Sequence, residues 1–220
     1  AQHVPMEPHA TLVYLDENQR INVWTTTQSP SFIRTELASI LGVSMNRVRI
    51  RVPYLGGGYG AKLYAKLEPL VTLLAMATRR PVKYVLTREE EFQTITKHGV
   101  VVGIKTAVKG GRISARRCTV HWDTGAFAEI GPRIVHKSGY TSAGPYRIPN
   151  VWIDSYCVYT NKPPAGAFRG FGVPQVIWAY ESQMDIIARA LEVDPVEFRL
   201  EHALEEGEPF ATGTRVRAFG

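Results

Sequence analysis

Three short stretches of the sequence carry residue types and spacings that could do chemistry. The first is GGGYGAK, Gly56 to Lys62. Three consecutive glycines followed by Tyr59 and Gly60 leave one β-carbon in five positions, so this backbone can adopt positive φ and approach a ligand closely. An apolar run precedes it and an apolar-periodic segment follows, which predicts a strand, then the loop, then a helix. The loop's N–H groups would then lie at a helix N-terminus, where an anion or an electron-rich oxygen is favoured. The second stretch is TTTQSP, in which the Gln28 amide offers a donor and acceptors suited to gripping an oxo group. The third is AGAFRGFGVPQ, Ala165 to Gln175, a second glycine-rich loop between a predicted strand and helix. Arg169 stands there between Phe168 and Gly170, Phe171 and Gly172. It could stabilise negative charge on a substrate oxygen or anchor a carboxylate. The structural alternative is that it bridges loop carbonyls.

A phosphate-binding P-loop needs a glycine before its lysine and Ser or Thr after it, whereas Ala61 and Leu63 flank Lys62. Gly56, Gly58 and Ala61 fit the looser dinucleotide pattern G-x-G-x-x-A, so a nicotinamide-dependent dehydrogenase is one alternative. Against it, Val82 to Leu86 runs into Thr87 and Arg88 where an acidic residue should close the next strand. QHVPMEPHA, from Gln2 to Ala10, combines His3, Glu7 and His9, but Pro5 and Pro8 preclude a regular helix that would align three metal ligands. These groups are expected to hold loop backbone instead. Cys118 and Cys157 are widely spaced in apolar runs and read as buried free thiols, which fits a reducing, cytoplasmic compartment.

The elements that must position these stretches are readable from periodicity. Thr11 to Leu15 and Ile21 to Thr26 alternate around Asp16 to Gln19, a hairpin signal. Ser29 and Pro30 open a helix that carries Phe32, Ile33, Leu37, Ile40 and Leu41 and ends at Gly42. Val48 to Val52 is a strand, Leu67 to Ala77 a helix, Val82 to Leu86 a strand, and Thr87 with Glu90 a capping box. From Gly99 the period changes. Val101 to Lys109 and Arg112 to Asp123 form a long hairpin about Gly110 and Gly111. A loop-rich stretch follows, then the strand Val151 to Thr160 and helices over Val176 to Leu191 and Val196 to Leu204, the last opened by Asp194 and Pro195. The expected fold is α+β, with mixed sheets and packed helices, in two lobes covering residues 1–95 and 96–220.

With 220 residues, 45% of them hydrophobic, the chain can bury a sizeable core. Its net charge of +6 is spread among acids rather than gathered into a basic stripe, so no nucleic-acid role is expected. No apolar run has the length of a membrane span. The start at Ala1, directly in motif-like sequence, suggests a piece of something longer.

Taken together, QHVPMEPHA, TTTQSP, GGGYGAK, GPYRIPNV and PPAGAFRGFGVPQ, in that order, resemble the molybdenum-binding subunit of the xanthine dehydrogenase and aldehyde oxidoreductase family, the molybdenum hydroxylases. The resemblance covers nearly the whole chain. It implies a molybdenum–pterin cofactor, as molybdopterin or its cytosine dinucleotide, with the metal held by the pterin dithiolene rather than by side chains. It further implies cofactor contacts from Gln28, Gly58, Tyr59, Gly60, Phe168, Arg169 and Gly170. Gln28 would donate to the oxo ligand, and Arg169 would face the substrate as charge develops.

The same resemblance implies partners: the remaining part of the molybdenum subunit, a 2Fe-2S subunit and an FAD subunit. Purine-oxidising members carry a glutamate where Leu63 stands, so xanthine is disfavoured. Carbon monoxide dehydrogenases of the family carry a cysteine where Gly170 stands, which disfavours that activity too. An aldehyde or an N-heteroaromatic substrate is expected, with aromatic acyl thioester reduction also open. The family's general-base glutamate lies in a Gly-x-Gly-Glu loop that this sequence lacks, so residues 1–220 should not turn over alone. A non-catalytic cofactor-binding or assembly module is the other alternative.

Overall fold

A computed structural model of the chain describes residues 1–217. They divide into two units, the first comprising Ala1–Lys97 and Gly166–Arg169, the second His98–Ala165 and the chain from Gly170 onward. The sequence places the whole loop 165–175 in the second part. The contacts divide it, because its residues 166–169 are tied to the glycine loop of the first unit.

In the first unit, β1 (Ala10–Leu15) and β2 (Ile21–Thr25) form the expected hairpin, and α1 (Pro30–Leu41) returns the chain to β3 (Val48–Arg51). The strand order is β3-β2-β1-β4, with β4 covering Val82–Val85. β1 is antiparallel to both β2 and β4, and β2 is parallel to β3. That parallel step requires a crossover, which α1 supplies. Ile33 and Leu37 of α1, with Val71 and Ala75 of α2 (Glu68–Thr78), bury against Val13, Ile21, Val23 and Val48. Gly42 ends α1 in the left-handed conformation, as expected. Ser29 does stand at its N-cap, but its side chain makes no capping bond, and its N–H is taken by Thr27 Oγ1 at 3.1 Å. The capping box of α3 (Arg88–Thr94) is complete, with Thr87 and Glu90 bonding reciprocally. The short strand β5 (Thr96–Lys97) closes the unit.

The second unit is built on β6 (Gly99–Lys109) and β7 (Arg112–Gly125), paired antiparallel, with β8 (Asn150–Tyr159) parallel to β7. The crossover between β7 and β8 contains a helix, α4 (Gly131–Thr141), where the sequence reads as loop. After the two-residue strand β9 (Ala165–Gly166) come α5 (Val173–Ala190) and α6 (Pro195–His202), whose Asp194 cap accepts from Val196 and Glu197. One core gathers Val120, Trp122, Val135 and Val176, and another Tyr146, Tyr180, Met184 and Phe198. Mixed sheets with six α-helices among the described residues make the fold α+β. No helix among the described residues is long and apolar enough to cross a membrane.

Both cysteines are free thiols, but only Cys118 is fully buried, while Cys157 is half-buried. Burial pushes the Cys118 thiol up to about 11 against the opposing pull of Arg116. Iodoacetamide at neutral pH should therefore modify Cys157 and leave Cys118 untouched until the protein unfolds. Peptide mass spectrometry before and after denaturation checks this.

Candidate functional site

The glycine loop does not open a helix. Five residues, 63–67, separate Lys62 from the start of α2 at Glu68. The end of that helix is already occupied: Glu68 is buried, and its carboxylate accepts from Thr25 Oγ1 at 2.7 Å and from the Lys66 N–H at 2.9 Å. The expectation of an anion at this N-terminus is thus corrected by a carboxylate that the chain itself supplies.

The loop's polar groups instead face other loops of the same unit. Gly60 N–H donates to Gln28 Oε1 at 2.9 Å. Gln28 N–H and Thr27 Oγ1–H donate to the Lys62 carbonyl at 2.8 and 3.1 Å. Arg169 N–H donates to the Tyr59 carbonyl at 2.9 Å. Backbone approach is closest at Gly60, whose φ is +105° and where a β-carbon would strike the Ala167 carbonyl oxygen. At Gly58 a β-carbon would strike the Gln28 amide. Tyr59 itself holds φ at +54°, uncommon for a bulky residue, and is exposed.

Gln28, Gly58, Tyr59, Gly60 and Arg169 are therefore in direct contact, although the sequence spreads them over more than half the chain. Phe168 is half-buried, its ring 4.5 Å from that of His3 and 5.3 Å from Lys97 Nζ. Gly170 falls in the second unit, where its φ of +98° lets Pro174 pack against it.

Two groups of this cluster remain available to a ligand. Because Gly60 N–H requires an acceptor, Gln28 presents its oxygen to the protein and its Nε2 as a donor. That Nε2 has no partner among the described residues, and Gln28 is exposed. The Arg169 guanidinium is likewise exposed, with no hydrogen bond or ion pair among the described residues. An amide donor and a cation flank a backbone turn with no β-carbon at Gly58 or Gly60. This arrangement fits an oxygen-bearing group that brings its own metal ligands.

The residues of QHVPMEPHA support this loop from beneath. His3 Nε2 donates to the Ala167 carbonyl at 2.6 Å. His9 bridges the Glu91 carboxylate (Nδ1, 2.8 Å) and the Ala61 carbonyl (Nε2, 3.2 Å), and Glu91 also accepts the His9 N–H. Glu7 accepts from Gly56 N–H and Lys62 Nζ. Each of the three candidate metal ligands thus holds backbone or an ion-pair partner, and no group of three His, Cys, Asp or Glu among the described residues is placed to hold a metal. Among these buried supports His3 and His9 hold loop backbone as expected, whereas Lys62 and Glu91 carry no such signal in the sequence.

These supports make the site acid-sensitive. Burial holds His3 below the usual imidazole value of about 6.5. For Glu91, burial pushes upward, but its bonds to His9 prevail and hold the carboxyl below the usual 4.5. In both cases the unfolded chain binds the proton more readily, so stability rises with pH. The His3 contribution is complete above about 6.5 and is lost as pH falls through the depressed folded value. The Glu91 contribution follows below about 4.5 in the same sense. The melting temperature should fall on acidification from about pH 7 to about pH 5, and His3→Gln should flatten that limb. An unchanged limb in His3→Gln would exclude this histidine as its source.

An amide donor and a guanidinium, both unpartnered among the described residues, beside a close-approaching glycine turn define a candidate ligand-binding site. The chain belongs to the molybdopterin cofactor-binding domain family, whose description matches residues 1–203. It is 40% identical over 213 residues to the nicotinate dehydrogenase large molybdopterin subunit of Eubacterium barkeri, covering 96% of this chain and 50% of that one. It is 36% identical to a putative xanthine dehydrogenase molybdenum-binding subunit of Escherichia coli K12, covering all of this chain and 30% of that one.

Among solved structures, aldehyde oxidoreductase from Desulfovibrio gigas superposes with a TM-score of 0.92 at 28% identity, covering 97% of this chain and 24% of that one. Quinoline 2-oxidoreductase from Pseudomonas putida 86 gives 0.89 at 30% identity, covering 98% and 29%. The chain thus spans half the length, or less, of these relatives.

Proposed function

We propose that this chain is part of the catalytic molybdenum subunit of a molybdenum hydroxylase that oxidises an N-heteroaromatic or aldehyde substrate. The observation that carries the reading is the contact of Gln28, Tyr59, Gly60 and Arg169 in one cluster, with the Gln28 amide donor and the Arg169 guanidinium left available. When bound, the molybdenum–pterin group supplies the two-electron oxidation, with oxygen drawn from water. The chain's own residues bind and orient. Gln28 Nε2 would donate a hydrogen bond to an oxygen of the group, and the Tyr59–Gly60 backbone would help hold it. Arg169 balances negative charge that develops on the substrate. Phe168 and Gly170 flank Arg169 and fix where the guanidinium can reach.

The substrate class is supported by names carried by relatives: nicotinate, quinoline and aldehyde all present an electron-poor carbon next to nitrogen or oxygen. Leu63 in place of the purine-binding glutamate argues against xanthine. The nicotinamide alternative is disfavoured because the Gly56–Ala61 loop does not lead directly into a helix, as a dinucleotide fingerprint must. Electrons would leave to iron–sulfur clusters and a flavin on partner subunits in the cytoplasm, and the general base would come from the companion part of the molybdenum subunit.

Elemental analysis for molybdenum, with pterin fluorescence after oxidation, on protein purified from its native source tests the proposal. About one molybdenum per complex, with iron-bearing companion chains, is the expected result. Folded protein free of metal and pterin would favour an assembly module instead.

A further inference from the structure

We propose that Glu7 and Lys62 are positioning residues that close the glycine loop and thereby aim the Gln28 amide. The inference rests on the cofactor reading given above and deepens it. Lys62 is 1% exposed, an unusual place for a lysine, and its Nζ donates to the Glu7 carbonyl at 2.8 Å and to Glu7 Oε2 at 2.9 Å. The same Oε2 accepts the Gly56 N–H at 2.8 Å, and Glu7 N–H donates to the Gly56 carbonyl at 3.1 Å. Glu7 therefore grips the first residue of the loop through main chain and side chain, and the last residue through an ion pair.

The residue so held is the one that holds Gln28. The Lys62 carbonyl accepts both Gln28 N–H and Thr27 Oγ1–H, while Gly60 N–H, two residues earlier, fixes Gln28 Oε1. Main chain and side chain of Gln28 are thus both anchored to the segment 60–62. With the amide oxygen fixed, the direction of Nε2–H follows from the loop's position. A loop freed at Lys62 would leave the amide able to swing, and the donor would no longer be preset. A buried cation is costly without its partner, so retention of a lysine here, where an apolar residue could fill the same space, points to a demand for orientation rather than for stability.

The test uses the assembled enzyme and three variants: Lys62→Met, Glu7→Gln, and the double Glu7→Leu/Lys62→Met. Glu7→Gln should melt at lower temperature because it strands the buried Lys62 charge. Lys62→Met should do so because it loses both hydrogen bonds to Glu7, whose carboxylate is only part-buried. The double should recover most of the Glu7→Gln loss. Positioning predicts that recovery of folding does not restore the site. In the double variant, hydrogen exchange at residues 56–62 and 27–28 should stay faster than in the wild type. Turnover should stay about 10- to 100-fold down with KM little changed, and the molybdenum(V) EPR signal should be altered at normal metal content.

Recovery of turnover and EPR signal together with melting temperature would overturn the proposal and leave the pair a fold element. So would unaltered exchange at 56–62 in all variants. If the double variant does not fold, Glu7→Gln, which keeps the size of the side chain, decides on the same exchange and EPR readouts. Exchange is read with or without cofactor, so a wild-type protein lacking molybdenum would end the cofactor reading while still testing the clamp.

Discussion

Gly60→Ala is expected to be among the most damaging single substitutions in the first unit, lowering stability by more than about 3 kcal/mol and cofactor retention with it. Two costs combine. The native φ of +105° lies where a residue with a β-carbon is strained by roughly 1–3 kcal/mol. The added carbon also meets the Ala167 carbonyl, which is backbone and cannot rotate away as a side chain could. Relief would require the glycine loop and the segment 166–169 to separate, breaking the Arg169 N–H bond to Tyr59 and displacing Gln28 from Gly60 N–H.

Gly110→Ala is the internal control. Its φ is +58° with nothing within 4 Å of the new carbon, so only about 1–2 kcal/mol of left-handed strain is expected. Urea unfolding followed by probes specific to each unit compares the two. If Gly60→Ala proved no worse than Gly110→Ala, the close approach of the two loops would be wrong.

What the sequence reveals of this molecule follows the range over which each signal acts. The β1–β2 hairpin and α1 declare themselves because their apolar spacing, and for α1 its closing glycine, are local. The capping box of Thr87 and Glu90 spans four residues and is made as read. Helix α4 is hidden because GPRIVHKSGYT contains two glycines, a proline and a serine, all weak helix formers. It is stabilised by burial of Ile134, Val135 and Ser138, and Gly139 lets Ser155 of β8 pack against it. That packing exists only after β8 has taken its place beside β7.

The site divides in the same way. Gln28, the glycine loop and Arg169 stand out by residue type, because glycines beside a lone amide or cation are costly unless something uses them. Of their supports, His3, Glu7 and His9 read as holding loop backbone, but the partners they hold do not stand out. Glu7 and Lys62 are ordinary charged residues in sequence, and only their pairing across 55 positions takes them out of the solvated class. The gap between the glycine loop and the helix is hidden for a related reason. Glu68 looks like a surface residue in the first turn of a helix, yet it is 3% exposed and fills the helix end through Thr25, a partner on β2.

The second large effect is expected from Arg169→Ala in the intact enzyme: turnover lower by on the order of a hundredfold, with molybdenum and pterin content nearly unchanged. The separation follows from how the residue is held. What ties position 169 to the glycine loop is its backbone N–H on the Tyr59 carbonyl, and alanine keeps that bond. The guanidinium is exposed and has no partner among the described residues, so its removal strands no buried group and opens no cavity.

On the reading proposed above its contribution comes from something bound, and charge that grows during reaction gains more from a fixed cation than charge already present in the substrate. Arg169→Lys sharpens the test. A lysine keeps the charge but loses the planar fork, so partial turnover would indicate a general electrostatic role, and loss equal to that of alanine would indicate bidentate contact. Steady-state kinetics with metal and pterin quantified on the same samples separates these outcomes. Parallel loss of turnover and cofactor in Arg169→Ala would mean instead that this side chain holds the cofactor loop together.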